Sequence, residues 1–176
     1  MKDFIAFATC AAVAMGCTRG DDDREGYEKT SIVRVGDALP EFAVFNGADT
    51  VTTAQLAGKK TLIALFVTTC GDCQKALPVI DSAWRELRDE PGVVFVLASR
   101  GEQLDAVAAY WAEAGFATPF YLDEQRDMFN KFATAYTPRV YLADGRQRVT
   151  EMHVEVFEMN SEELCRRVRA LESGEP

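Results

Sequence analysis

Residues 61–73 read Thr61-Leu62-Ile63-Ala64-Leu65-Phe66-Val67-Thr68-Thr69-Cys70-Gly71-Asp72-Cys73, and the organisation of the whole chain follows from them. The first seven form an apolar, partly β-branched run, the pattern of a strand buried on both faces. From Cys73 onward the period changes. Ala76, Leu77, Ile80, Ala83, Trp84 and Leu87 recur at intervals of three and four, while Gln74, Lys75, Asp81, Arg85 and Arg88 take the other side. That spacing predicts an amphipathic helix over 73–87, kinked at Pro78. A buried strand running into a helix places Cys70 just beyond the strand's carboxyl end, with Cys73 in the first helical turn.

Working outward, Val93-Val94-Phe95-Val96-Leu97-Ala98 predicts a second strand, followed by a helix carrying Leu104, Val107, Ala108 and Trp111 that Gly115 ends. Phe120-Tyr121-Leu122 is a third strand, and a helical stretch runs from Met128 to Phe132. Thr137-Pro138 introduces the strand Val140-Tyr141-Leu142, and Asp144-Gly145 turns into a final antiparallel pair reaching Val156. The last helix is capped by Asn160 or Ser161, with Glu163 placed to complete a capping box and Leu164, Val168 and Leu171 forming its apolar stripe. Upstream, Val35 to Phe42 and Asn46-Gly47-Ala48-Asp49 put turn chemistry around a short alternating segment, as in an N-terminal β-hairpin. Strands alternating with helices imply an α/β sheet with right-handed crossovers, whose ligand chemistry sits beyond the carboxyl ends of the strands. Cys70 is in such a place.

The chain has 176 residues, 48% hydrophobic and 27% charged, which suits one globular domain. Its net charge of -9 makes sequence-independent attraction to nucleic-acid phosphates unfavourable, so no nucleic-acid partner is expected. Lys2 precedes a mostly apolar stretch from Phe4 to Cys17, too short to span a bilayer and matching the h-region of a secretory signal. Its end, Ala14-Met15-Gly16-Cys17, resembles the lipobox of bacterial lipoproteins, which implies lipidation of Cys17 after removal of residues 1–16; an ordinary signal cleaved nearby is the alternative. Either way the chain is expected outside the cytoplasm. Residues 17–34, acidic and without an apolar period, read as a flexible tether, leaving 35–176 as the domain.

Cys70-Gly71-Asp72-Cys73 carries the chemistry. Two intervening residues let one turn bring both sulfurs within disulfide distance. The helix N-terminus offers unpaired N–H groups and partial positive charge, which stabilise a thiolate at Cys70. Such a thiolate attacks a substrate disulfide, and Cys73 then resolves the mixed disulfide. The same spacing also occurs in half of a zinc site and in inert disulfides. Further zinc ligands would have to come from Cys165 and His153, on distant elements and without paired spacing, so no metal and no other cofactor is expected.

The chain resembles the exported thioredoxin-like thiol:disulfide oxidoreductases of the TlpA/ResA type, relatives of the peroxiredoxins within the wider redoxin group. The resemblance spans Val35 to Leu171. It rests on Val35-Gly36-Asp37-Ala38-Leu39-Pro40-Glu41-Phe42, Gly58-Lys59-Lys60, Cys70 through Pro78, and Thr137-Pro138 ahead of Val140-Tyr141-Leu142-Ala143-Asp144-Gly145. It implies a thioredoxin-like α/β fold, a central mixed sheet flanked by helices with the N-terminal β-hairpin as an extension. It also implies a cis Pro138 facing the cysteines, with Thr137, Pro138 and Thr69 as substrate contacts. The implied activity is exchange with cysteine-containing exported proteins in a reducing direction, by a monomer held to the membrane through its N-terminal lipid, facing the periplasm and recharged by a membrane electron donor. A binding module with a structural Cys70–Cys73 bridge is the alternative from another class.

Several positions depart from the family. Thr69 stands where many relatives have an aromatic residue, and Ala64 and Ala76 stand where relatives carry a proton-transferring acid. Proton transfer is then left to water or to a carboxylate such as Asp72, Glu102 or Asp123. Peroxiredoxins carry Pro and Thr or Ser ahead of their reactive cysteine, where this chain has Ile63 and Val67, which argues against peroxidase chemistry. Asp72 is expected to tune the Cys70 pKa: at about 7 Å and an effective dielectric of about 80 to 20, its charge opposes a thiolate by roughly 0.6 to 2.4 kcal/mol, comparable with the helix-end effect. Cys70 is therefore expected to titrate nearer thioredoxin than the strongly oxidising DsbA type. Of the rest, Met152, Val154 and Val156 are expected to face inward with Glu151, His153 and Glu155 on a solvated face, Cys165 to be a packing thiol, Trp84 and Trp111 to sit in the core, and Arg139 to lie at the surface.

Overall fold

A computed structural model describes residues 21–174. Cys17 and the leader before it lie outside the described residues. The elements are α1 (Asp21–Thr30), β1 (Ala43–Phe45), β2 (Thr50–Thr52), a short 3-10 turn (Thr53–Leu56), β3 (Lys60–Phe66), α2 (Gly71–Leu87), β4 (Val93–Arg100), α3 (Leu104–Ala114), β5 (Phe120–Asp123), α4 (Phe129–Phe132), β6 (Arg139–Ala143), β7 (Val149–Val154) and α5 (Ser161–Ala170). The strands form one seven-stranded mixed sheet in the order β2-β1-β5-β4-β3-β6-β7. β3, β4 and β5 run parallel, as their helical crossovers require, and the hairpin and the β6–β7 pair add antiparallel edges.

β3 lies inside the sheet, between β4 and β6, because it has no polar face to show. Leu62, Ala64 and Phe66 pack against α2, α3 and α5 through Leu77, Ile80, Leu87, Trp111, Leu164 and Val168. Ile63 and Leu65 pack on the other side with Val96, Phe129, Phe132, Tyr141, Phe42 and Val33. α2 continues through Pro78 as one helix to Leu87. Gly115 ends α3 in the left-handed region at φ 68°, a conformation that costs a residue without a Cβ little. The hairpin turn is set by Asn46, whose side-chain oxygen accepts from the N–H groups of Ala48 and Asp49. Asn160 caps α5 by accepting from the Glu163 N–H at 2.8 Å, but the Glu163 carboxylate turns to Arg166 and Arg167 instead of closing a capping box.

Three local expectations are corrected. Residues 21–30 are helical where a tether was expected, and the chain joins the body at Ser31, bridged to Ala133, with Val33 already in the core. An apolar period did not reveal α1 because it is held by its carboxyl end rather than by an apolar face. Arg139, expected outside, is fully buried at 0% exposure. Val156 is 56% exposed, because β7 stops at Val154 and Glu155 turns at φ 59°. Among the described residues no helix is long and apolar enough to cross a membrane.

Candidate active site

Cys70 is the N-cap of α2, with extended backbone at φ -83° and ψ 121°. In that position its half-buried sulfur accepts from the Cys73 N–H at 3.4 Å, one of the donors a helix start leaves without a carbonyl partner. Its thiol donates to the Thr137 carbonyl at 3.2 Å. The Thr137–Pro138 peptide bond is cis, Pro138 is buried, and the Pro138 carbonyl accepts from the Glu155 N–H at 2.8 Å. The turn before α2 and the turn before β6 meet here because β3 and β6 are antiparallel neighbours, with Leu65 paired to Arg139.

The two thiols differ in environment. Burial opposes ionisation of Cys70, but hydrogen bonds from Cys73, from the Thr137 side chain and from the Asp72 backbone outweigh it and hold the thiol below the ordinary 9.0. Cys73 is 0% exposed, and burial first of all pushes its pKa up to about 12. Cys70 is thus the thiolate former and Cys73 the protected thiol. Asp72 lies beside them, but its carboxylate pairs with Lys75 at 2.8 Å, so much of its charge is offset locally. The helix-end N–H groups therefore act on Cys70 with less opposition than an unpaired Asp72 would impose.

The carboxylates left for proton transfer have different fates. Asp123 is buried and occupied, accepting from the N–H groups of Met128 and Phe129 at 3.0 and 2.7 Å. Glu102 reaches the cysteine turn: it accepts from the Thr68 N–H and hydroxyl at 3.0 and 2.5 Å and from the Ser99 hydroxyl at 3.1 Å. Gln74 in turn donates to the Thr68 carbonyl at 2.9 Å, tying the same turn to α2. Sequence reasoning named Glu102 but not Thr68 or Gln74. The signal was the parallel pairing of Phe66 with Ser99, which brings the end of β4 beside the turn.

Thr69 is exposed on the rim next to Cys70. A cleft of about 270 Å³ adjoins the start of α2, lined by Asp72, Lys75, Glu155, Val156, Phe157 and Glu158. The remaining sequence candidates are apart from this site. Cys165 is buried on α5 with its thiol 3.8 Å from the Ala83 carbonyl, and burial raises its pKa to about 11. Glu151 pairs with Arg167 of α5 at 2.6 Å, and the half-buried His153 packs edge-on against Phe157. Trp111 is buried and donates to the Thr118 carbonyl at 2.7 Å, while Trp84 is half-buried beneath Arg88. Among the described residues no group of three or more His, Cys, Asp or Glu is placed to hold a metal ion.

The redoxin family profile matches residues 34–164. The chain belongs to the redoxin family. It is 32% identical over 108 residues to the thiol-disulfide oxidoreductase YkuV of Bacillus subtilis, covering 59% of this chain and 72% of that protein. A solution structure assigned as a protein disulfide isomerase from Bacteroides thetaiotaomicron superposes with a TM-score of 0.75 at 26% identity, over 81% of this chain and 92% of that one. A structure assigned as a thiol:disulfide interchange protein DsbE from Chlorobium tepidum shares the fold, with a TM-score of 0.69 at 17% identity over 78% and 97% of the two chains. This redoxin is a thioredoxin-like thiol:disulfide oxidoreductase of the TlpA/ResA type.

Proposed function

We propose that this redoxin exchanges dithiol for disulfide with cysteine-containing exported proteins, through Cys70 and Cys73. The observation that carries the reading is the placement of the Cys70 sulfur between the Cys73 N–H and the Thr137 carbonyl, at the start of a helix and at the surface. The Cys70 thiolate attacks one sulfur of the substrate disulfide, the S–S bond breaks, and the leaving thiolate takes a proton. Cys73 then loses its proton and attacks Cys70, closing the Cys70–Cys73 disulfide and releasing the substrate as a dithiol. The raised pKa of Cys73 keeps it protonated until the mixed disulfide forms and removes the neighbouring thiolate. Thr137, Pro138 and Thr69 form the edge against which an extended substrate lies.

Lipidation of Cys17 would hold the domain at the outer face of a membrane, and a membrane electron donor would return Cys70 and Cys73 to thiols. Exchange needs one copy of the chain, since both sulfurs and the Pro138 turn come from it. The test is trapping. Cys73→Ser should accumulate a mixed disulfide with a cysteine-containing peptide and Cys70→Ser should not; no adduct on Cys73→Ser would overturn the reading.

A further inference from the structure

Arg139 follows the Thr137–Pro138 turn directly, is 0% exposed, and forms no ion pair with a carboxylate among the described residues. A buried cation without a counter-ion is costly unless other groups replace the lost water. Here α1 replaces it. The guanidinium donates to the Ser31 hydroxyl at 2.7 Å and the Thr30 hydroxyl at 2.9 Å. Those hydroxyls donate onward to carbonyls in the last turn of α1: Thr30 to Gly26 at 2.9 Å, and Ser31 to Tyr27 at 2.6 Å. The negative end of a helix dipole thus stands where a carboxylate would. Arg34 donates to the Glu28 carbonyl of the same turn at 3.1 Å.

The third bond of Arg139, from Nε to the Ala135 carbonyl at 2.9 Å, joins this arrangement to the segment leading to Pro138. α1 grips that segment at two further points. Thr134 donates its N–H to the Thr30 carbonyl at 2.9 Å, and the Tyr27 ring packs edge-on against Tyr136 at 5.6 Å. Tyr136 sits at φ 66°, a left-handed conformation that a residue with a Cβ keeps only where its surroundings hold it. The next residue, Thr137, presents its carbonyl to the Cys70 sulfur. α1 and Arg139 therefore hold every residue of the segment from 134 to 136.

We propose that Arg139, locked to the carboxyl end of α1, is a positioning residue for the exchange reaction, fixing the Thr137–Pro138 turn against Cys70 so that residues 26–31 belong to the active site. The inference rests on Cys70 being the attacking thiol, and the wild-type rate measured alongside tests that reading separately. In the full-length chain, Arg139→Met and the double variant Thr30→Val with Ser31→Ala should each lower kcat/KM for a peptide disulfide by about 10- to 100-fold, the size of loss a misplaced reacting group produces. Each should also move the Cys70 titration, followed by thiolate absorbance, up toward 9.0, because the Thr137 side-chain hydrogen bond that lowers it, distinct from the backbone carbonyl contact, is loosened. Arg139→Lys should recover part of both. A purely structural role would lower only the melting temperature, so folded variants with rate and titration both unchanged would overturn the proposal. If Arg139→Met does not fold, the Thr30→Val/Ser31→Ala variant, which keeps the cation, decides the matter.

Discussion

Two sulfurs three residues apart acquire opposite character from where α2 begins. Cys70 sees helix-end N–H groups and solvent, while Cys73 sees the core, and the first is held below 9.0 while the second rises to about 12. The rate of attack on a disulfide should therefore rise with pH through an inflection below 9.0, and stopped-flow rates on Cys73→Ser should show that single inflection. Lys75→Met leaves the Asp72 charge unpaired and should move the inflection upward; Asp72→Asn should move it downward. Glu102→Ala strands the N–H and hydroxyl of buried Thr68, and denaturant unfolding should show a loss of about 1–3 kcal/mol. The cysteines, Thr137 and Pro138 were legible in the sequence because they are local motifs. The pairing of Asp72 with Lys75 was open to reading as well, since residues three apart on a helix are neighbours.

Helices and strands were legible where one face is apolar and hidden where a tertiary partner supplies the stability. β3, α2, α3 and α5 follow their periodicities, whereas α1 depends on Arg139, Thr134 and Tyr136, more than a hundred residues away in sequence. Asp81 shows the same limit. Its spacing puts it on the polar side of α2, yet it is buried, accepting from the N–H groups of Ala117 and Thr118, from the Thr118 hydroxyl and from Arg85. Asp81→Ala should cost about 2–4 kcal/mol in chemical denaturation, because two N–H groups and a hydroxyl lose their acceptor. Burial raises the Asp81 pKa, but the bonds from Thr118 and Arg85 outweigh it, and the folded value lies below the ordinary 3.8. Since the folded pKa is depressed, Asp81 contributes its full stabilisation above 3.8 and loses it as pH falls through the folded value. Acid unfolding of Asp81→Asn should accordingly be less steep below pH 3.8 than that of the wild type.

At the scale of the molecule, the mixed sheet does one thing for function: it lays β6 antiparallel beside β3, so a turn late in the chain faces a helix start formed early in it. Strand order of this kind follows from alternating strands and helices and from crossover handedness, so the position of the site was legible. The burial of Arg139 was not, because it depends on the register of Leu65 against Arg139 and on a helix the sequence did not disclose. The central claim is that Cys70 and Cys73 form a reversible redox couple poised for reduction. Its most direct test is the equilibrium reduction potential of that pair in the full-length chain, set by defined thiol buffers and read by alkylation and mass. A Cys70 thiolate favoured only by hydrogen bonds, against its own burial, predicts a reversible two-electron couple near about -270 mV. A pair that never cycles, or that stays oxidised well below about -300 mV, would contradict the account and leave an inert bridge in a redoxin fold.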